Sequence, residues 1–518
     1  PTEAHRPREP GAAMRADKSR ARVRNRYRSL LPACFPLAAP LRRFGGFHPR
    51  QHALDLRIHI RQFLLQIVLG LVSAISITVG AVIGSGIFLK PLAVAQALPS
   101  EAWVHVFWVG LGIVCLFGAF AYAELGAMFP EAGGQYAFLR EGWGRFPAFL
   151  YGWTFFWVIN SGTVAALALG FAKNLLPLFD VDMAAEAAQP RWLLVVACTM
   201  ILVLALVNHF GVMLGAIVQN VSTFAKVGAL GLIVVGGLLV ATGDTGAPTA
   251  AVASSAAPEW SLAGLVVAFT GIFWAYEGWY QMPFNAAELK RPERNLPLGL
   301  VGGMLILIAT YWFVNVVYLR VVPFEEMRAL SPESPETIVA SMTVARVFSP
   351  ELAGYLTLLI AVSIFGAANP NLLSSPRAFY AMGQDGLVPA ALQRISPRWG
   401  TPTVAIWVQA GVGIALVLVL QGFHDVTDFV VFAAFLFYAM TVAAVYRLRR
   451  IRPEAARPYR CTGYPVTPAL FILVAIVFVV AMLRDENGRR NALKGLAIIA
   501  AGVPWYLWWQ RAQRRATS

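Results

Sequence analysis

Long apolar runs separated by brief polar punctuation fill the chain from residue 68 to residue 510. Twelve of them reach the length of about 17–25 residues that a helix needs to cross a bilayer. They lie near 68–98, 103–129, 147–176, 192–210, 213–241, 262–289, 297–321, 351–382, 402–421, 425–447, 465–483 and 493–510. The first, sixth and eighth are overlong and hold internal Gly or Pro, the pattern of tilted or interrupted spans. In the first, VGAVIGSGIF (Val79 to Phe88) packs Gly80, Gly84, Ser85 and Gly86 into the middle of the run. Glycine costs a helix interior roughly 1 kcal/mol relative to alanine. Opened backbone survives in lipid only where it is buried in protein or lines a cavity. The first run therefore predicts a broken helix.

A matching interruption occurs in the sixth run, GIFWAYEGWYQMPF (Gly271 to Phe284), where Tyr276, Glu277 and Gly278 sit at mid-span and Pro283 follows. Runs one and six are five apart, which predicts two inverted repeats with corresponding breaks around a site at mid-membrane. Half-helix N-termini suit a carboxylate, and unwound carbonyls suit an ammonium. A zwitterion such as an α-amino acid fits that pairing; other small organic ions fit the same physics.

Composition narrows the class. The 518 residues are 58% hydrophobic and 13% charged, with mean hydropathy +0.62, beyond an ordinary soluble domain. The net charge of +15 invites a nucleic-acid reading, but its placement favours another. With a cytoplasmic N-terminus, about 31 of the 42 Lys and Arg fall on the cytoplasmic side, as the positive-inside rule requires. Lys90 and Lys226 fall within spans. Arg484, Arg489 and Arg490 fall on the outer side and make runs eleven and twelve the weakest part of this topology. The bilayer is the partner that the basic loops imply; nucleic acid is not.

Cys34, Cys115, Cys198 and Cys461 have no metal-ligand spacing, and the seven histidines form no H-E-x-x-H pair. The absence of a Walker A sequence argues against ATP as energy source. No nucleophile–base constellation points to an enzyme, and no cofactor or metal is expected. Residues 1–66 are rich in Arg and Pro and are expected to be a disordered cytoplasmic tail or sequence translated upstream of the true start. An organelle leader is the alternative.

The motifs together are similar to a known family. GAVIGSGIF, YAELGAMFPEAGGQYAFLREGWG (Tyr122 to Gly144) and AYEGW followed by NAAELKRPERNLP (Asn285 to Pro297) resemble the amino acid–polyamine–organocation superfamily. NHFGVMLGAIVQN (Asn208 to Asn220) and SSPRAFYAMGQDGLVP (Ser374 to Pro389) extend the match, which is strongest toward bacterial members of the L-type amino acid transporter group and covers roughly 68–450.

That resemblance implies an all-α integral membrane protein with a LeuT-like 5+5 inverted repeat and two further C-terminal helices, twelve in all. Residues 67–241 would form the first repeat, 260–447 the second, 464–510 the last two helices and 511–518 a short tail. Both termini would be cytoplasmic, in the inner (cytoplasmic) membrane. By matching position, the amides of Ser85, Gly86 and Ile87 would hold a substrate carboxylate. The carbonyls of Ile83, Trp274, Ala275 and Glu277 would face its amine, with Gly84, Tyr276 and Gly278 in the same two breaks. Trp274 would close over the substrate.

Lys226, in TFAKVGALG halfway along the fifth run, is the sharpest single residue. A mid-bilayer charge costs at least about 2.5–3.5 kcal/mol on insertion scales and normally faces the protein interior. In the resembling transporters a lysine here takes the place of a sodium ion, which implies sodium-independent transport and makes Lys226 a candidate proton carrier. Glu277 is a candidate for proton carriage or for a cationic substrate. Glu124 and Arg377 are expected at the inner mouth, pairing or gating there; Asn369 and Ser374 are candidates near Lys226, and His209 is expected at a span end. The apolar tenth run, with Ala434, suggests an apolar pocket. Pro177 to Arg191 lacks the cysteine that joins animal L-type light chains to an ancillary glycoprotein, which argues for a chain acting alone, as a monomer or weak homodimer. At Met213 the family often has a lysine or arginine.

The leading expectation is a permease for a neutral L-amino acid, working by exchange or proton symport. A permease for cationic amino acids or polyamines is the rival within transport, and an amino acid sensor with little flux is the rival outside it.

Overall fold

The computed structural model describes residues 70–130, 133–179, 189–210, 212–240, 259–330, 338–396, 398–399, 401–420 and 422–517. The expected N-terminal tail, most of the Pro177 to Arg191 loop and the side chains of Met213, Ser374 and Arg377 lie outside what is described. The described residues are built from helices with no β-strand among them.

Eleven of the described helices are long and apolar enough to cross a membrane, from Leu71–Leu89 to Val466–Arg484. The twelfth run differs. It lies inside the 32-residue helix Glu486–Thr517, which is not among those eleven. Helix length was legible there; uniform apolarity was not present.

Burial sorts the spans. Along Arg145–Phe179, 89% of the apolar window is buried, against 28% for Val466–Arg484, so the third span is central and the eleventh peripheral. The third span contains a π-helical stretch, Phe155–Asn160, a widened turn that often marks functional positions. Outward-facing Val235, Leu473 and Val419 give the periphery an apolar surface suited to lipid. Lipid provides no hydrophobic drive between helices, so small residues bring them close. The seventh span, Pro292–Val321, packs on Leu71–Val82 in this way: a Cβ on Gly299 would meet Ala74 Cβ at 2.6 Å, and one on Gly303 would meet Thr78 Cβ at 2.7 Å.

Both expected breaks are present. The first span is helical over Leu71–Val82, turns extended at Ile83 (φ −66°, ψ 100°), bends at Gly84 and Ser85, and resumes at Gly86–Leu89 and Pro91–Ala97. The sixth starts at Ser261, whose hydroxyl accepts from the Gly264 amide at 3.0 Å, and is α-helical over Leu262–Ala275. It then turns through Tyr276, Glu277 and Gly278 and continues as a 3₁₀ helix over Trp279–Glu288, with Pro283 inside it.

At the face that holds Gln135–Trp143, polar clasps join loops to spans. Glu124, 1% exposed, accepts from Arg449 Nε at 3.1 Å and Nη2 at 2.6 Å, pairs with Arg457 at 3.4 Å, and accepts the Cys461 amide at 2.7 Å. Tyr136 donates to Asp385 Oδ2 at 2.6 Å, where Arg140 also reaches it at 3.2 Å. Burial, then that carboxylate, pushes the Tyr136 hydroxyl well above its ordinary value, so it stays a donor at any physiological pH.

Candidate functional site

The two breaks meet face to face. A Cβ on Gly86 would sit 2.3 Å from Ala275 Cα, so no larger residue fits between the half-helix of the first span and the end of the sixth. Gly278 has φ 113°, a left-handed conformation that favours glycine, and its Cβ position lies 2.6 Å from the Ala81 carbonyl oxygen. A cavity opens beside them. Of the predicted residues, Gly84, Ser85, Gly86, Trp274, Glu277 and Gly278 line it, while Ile83, Ile87, Ala275 and Tyr276 do not. Thr163, Leu167, Gln281, Ala367 and Asn371 complete the wall together with Ala81 and Val82.

Lys226 reaches the break from the fifth span. It is fully buried, and its Nζ donates to the carbonyls of Gly80 at 2.8 Å and Ile83 at 2.7 Å. The last carbonyls of a helix have no partner within it and carry its partial negative charge. The ammonium therefore caps the carbonyl end of Leu71–Val82 where the chain unwinds.

Trp274 lines the cavity. Its indole N–H donates to Ser85 Oγ at 3.1 Å, and its ring lies edge-on to Phe423 at 6.0 Å. At 4% exposure it is covered. Glu277, 8% exposed, accepts at Oε1 from Tyr438 Oη at 2.6 Å.

The implied carbonyl set is partly engaged already. The Ile83 carbonyl receives Lys226, the Trp274 carbonyl receives the Glu277 amide at 3.1 Å, and the Ala275 carbonyl receives Tyr311 Oη at 3.0 Å. Tyr311, from the seventh span, lies 3.4 Å from the Val82 carbonyl as well, so one hydroxyl serves both breaks. Nothing in the apolar pattern of the seventh run singles it out.

A polar network behind the cavity was equally unforeseen. Gln281 Nε2 donates to Asn371 Oδ1 at 3.0 Å, and the Asn371 carbonyl accepts from Asn160 at 3.1 Å and Gln409 at 3.0 Å. These residues join the third, sixth, eighth and ninth spans.

Other predicted positions fall elsewhere. Ala434 is buried but absent from the cavity wall, so the wall is more polar than the tenth run suggested. Asn369 accepts from Asn208 at 2.8 Å. His209 ends its helix and accepts from Trp407 Nε1 at 3.1 Å, a span-end contact as expected. Glu124 pairs with Arg449 and Arg457. No cluster of His, Cys, Asp or Glu among the described residues has metal-binding form.

Two broken spans around a covered mid-bundle cavity, with a buried ammonium on the first break, define a membrane transporter of small solutes. A family model described as "Amino acid permease" matches residues 69–501. The b(0,+)-type amino acid transporter 1 of Homo sapiens is 33% identical over 425 residues, 80% of this chain and 82% of that protein. The serine/threonine exchanger SteT of Bacillus subtilis (strain 168) is 31% identical over 444 residues, covering 85% and 95%. The large neutral amino acids transporter small subunit 2 of Homo sapiens is 32% identical over 454 residues, covering 85% and 81%. The chain belongs to the amino acid permease family, within the amino acid–polyamine–organocation superfamily.

Proposed function

We propose that this permease moves a neutral L-amino acid across the cytoplasmic membrane by alternating access, without sodium, by exchange or proton symport. The observation that carries the reading is Lys226 Nζ at 2.8 and 2.7 Å from the Gly80 and Ile83 carbonyls, a fixed cation where a coupling cation would otherwise bind. The amides of Ser85, Gly86 and Ile87 open the second half of the first span and suit the substrate carboxylate. The unwound sixth span suits the amine. Thr163, Gln281 and Asn371 give the cavity neutral hydrogen-bonding groups, which favours an uncharged side chain.

The paired breaks at spans one and six support a 5+5 arrangement of repeats, with two further spans after them as part of this reading. The reading treats the chain as needing no covalent subunit, because residues 177–191 hold no cysteine. Within the class, Glu277 in the cavity wall favours a second reading, a permease for cationic amino acids.

Competition in proteoliposomes separates the two. Labelled leucine or threonine uptake that unlabelled neutral amino acids abolish, and arginine leaves alone, supports the first reading. Preferential uptake of arginine or a polyamine supports the second. Ligand binding in detergent without uptake into vesicles supports neither and makes the chain a sensor.

A further inference from the structure

Among the described residues two lysines are buried, and Lys226 accounts for one. Lys90 is the other. It is 2% exposed and directly follows the half-helix Gly86–Leu89, on the face that the positive-inside count assigns to the outside. A lysine that needed only solvation would snorkel to the nearby interface. Instead Lys90 turns inward to the first turn of the tenth span, Phe423–Ile451. Its Nζ donates to Thr427 Oγ1 at 2.9 Å, lies 3.1 Å from His424 Nδ1, and sits 4.7 Å from the centre of the Phe423 ring.

An ammonium has three N–H bonds, and three acceptors from one helical turn meet it here. Thr427 spends its own proton on the His424 carbonyl at 2.8 Å, which leaves its lone pairs to Lys90. Asp428 of the same helix and Lys173 of the third span lie within electrostatic reach of it. Lys90 also rests against the sixth span, since a Cβ on Gly271 would meet its Cβ at 3.7 Å.

These contacts close a ring over the cavity. Ser85 and Lys90 belong to the first span; Lys90 holds Phe423, Phe423 abuts Trp274, and Trp274 donates back to Ser85. Each link spans a different pair among spans one, six and ten. A swing of the outer half of the first span away from the tenth breaks the Lys90 contacts and removes the cover from Trp274.

We propose that Lys90 is the latch of the outer gate, a positioning residue that holds Phe423 and Trp274 closed over the substrate cavity by tying the outer half of span one to the first turn of span ten. The proposal rests on the alternating-access reading above. The ammonium spends its donors on a neutral hydroxyl, an imidazole nitrogen and a ring face, so opening exchanges them for water and substrate rather than stranding a bound anion.

The test is accessibility in the full-length protein in proteoliposomes of known orientation. A cysteine is introduced by Ala367→Cys, a cavity-wall position, with Cys34, Cys115, Cys198 and Cys461 replaced by serine or alanine. A membrane-impermeant thiol reagent is added outside or inside, in the Lys90→Met, Thr427→Val and parent backgrounds. Loss of the latch is expected to speed labelling from the outside by about tenfold for Lys90→Met and by a smaller factor for Thr427→Val. Labelling from the inside is expected to slow. Outer labelling within about twofold of the parent in both variants overturns the proposal, as does acceleration only from the inside. A lower melting temperature with unchanged labelling assigns Lys90 a purely structural role and also overturns it. Labelling needs no flux, so a parent that carries no amino acid defeats the functional reading while leaving the latch result readable.

Discussion

The Lys226 ammonium lies 2.7 Å from the Ile83 carbonyl oxygen, across the interface between the fifth span and the unwound part of the first. Together with the Gly80 carbonyl, it satisfies two acceptors that the broken helix cannot satisfy itself. Lys226→Met keeps the length and removes both donations. An unmet buried acceptor costs about 1–3 kcal/mol, so uptake per folded transporter should fall on the order of 100-fold. Initial uptake rates normalised to reconstituted protein check this; a fall of less than about threefold would detach Lys226 from the transport cycle.

Gly86→Ala should be severe for transport and should lower stability as well, since overpacking a core costs about 1–3 kcal/mol. Its Cβ would stand 2.3 Å from Ala275 Cα, closer than any real contact, and only separation of the two breaks relieves it. Displacing a positioning group by about 1 Å costs on the order of 100-fold in a preorganised site. The comparison needed is uptake per folded transporter against thermal stability: a large drop in uptake together with a melting temperature lower by about 3 °C or more is expected.

Glu277→Gln keeps an acceptor for Tyr438 and removes the ionisable carboxyl group. On the neutral-substrate reading, leucine or threonine uptake stays within about threefold of the parent, because no ionic contact to the substrate side chain is lost. If arginine is the substrate, its uptake instead falls by at least about tenfold, the worth of a charge-assisted contact. Paired uptake assays with the two labelled amino acids distinguish these outcomes.

The Glu124 clasp predicts a stability effect without a selectivity effect. Glu124→Gln strands the partly buried Arg449 and Arg457, and breaking a buried pair from one side costs about 3–5 kcal/mol. A melting temperature lower by about 5 °C or more is expected, since 1 kcal/mol moves a domain of 150–250 residues by roughly 2–4 °C. The KM for the preferred substrate should not change.

Both breaks were legible because glycine clusters and a mid-span Glu are costly in lipid and so stand out against apolar sequence. Lys226 and Trp274 were legible for the same reason: a charge at mid-span, and an indole just ahead of a break. Tyr311, Tyr438, Gln281 and Asn371 were not. Each lies in a long apolar run from a different part of the chain, and a nearly uniform apolar helix does not disclose which face meets the core. Ala434 misled for that reason, being buried on a face that does not reach the cavity wall. The twelfth run was legible as a helix, although that helix extends beyond the apolar stretch at both ends, through Arg489 and Arg490 and through Arg511 to Arg515.

The central claim is that the fixed ammonium of Lys226 stands in for a coupling cation. The most direct measurement is initial uptake of labelled leucine or threonine into vesicles with sodium replaced by choline on both sides. Rates that agree within about twofold across the replacement are the predicted result. A fall of about tenfold or more without sodium, restored by adding it back, would contradict the account and require a sodium site beside Lys226.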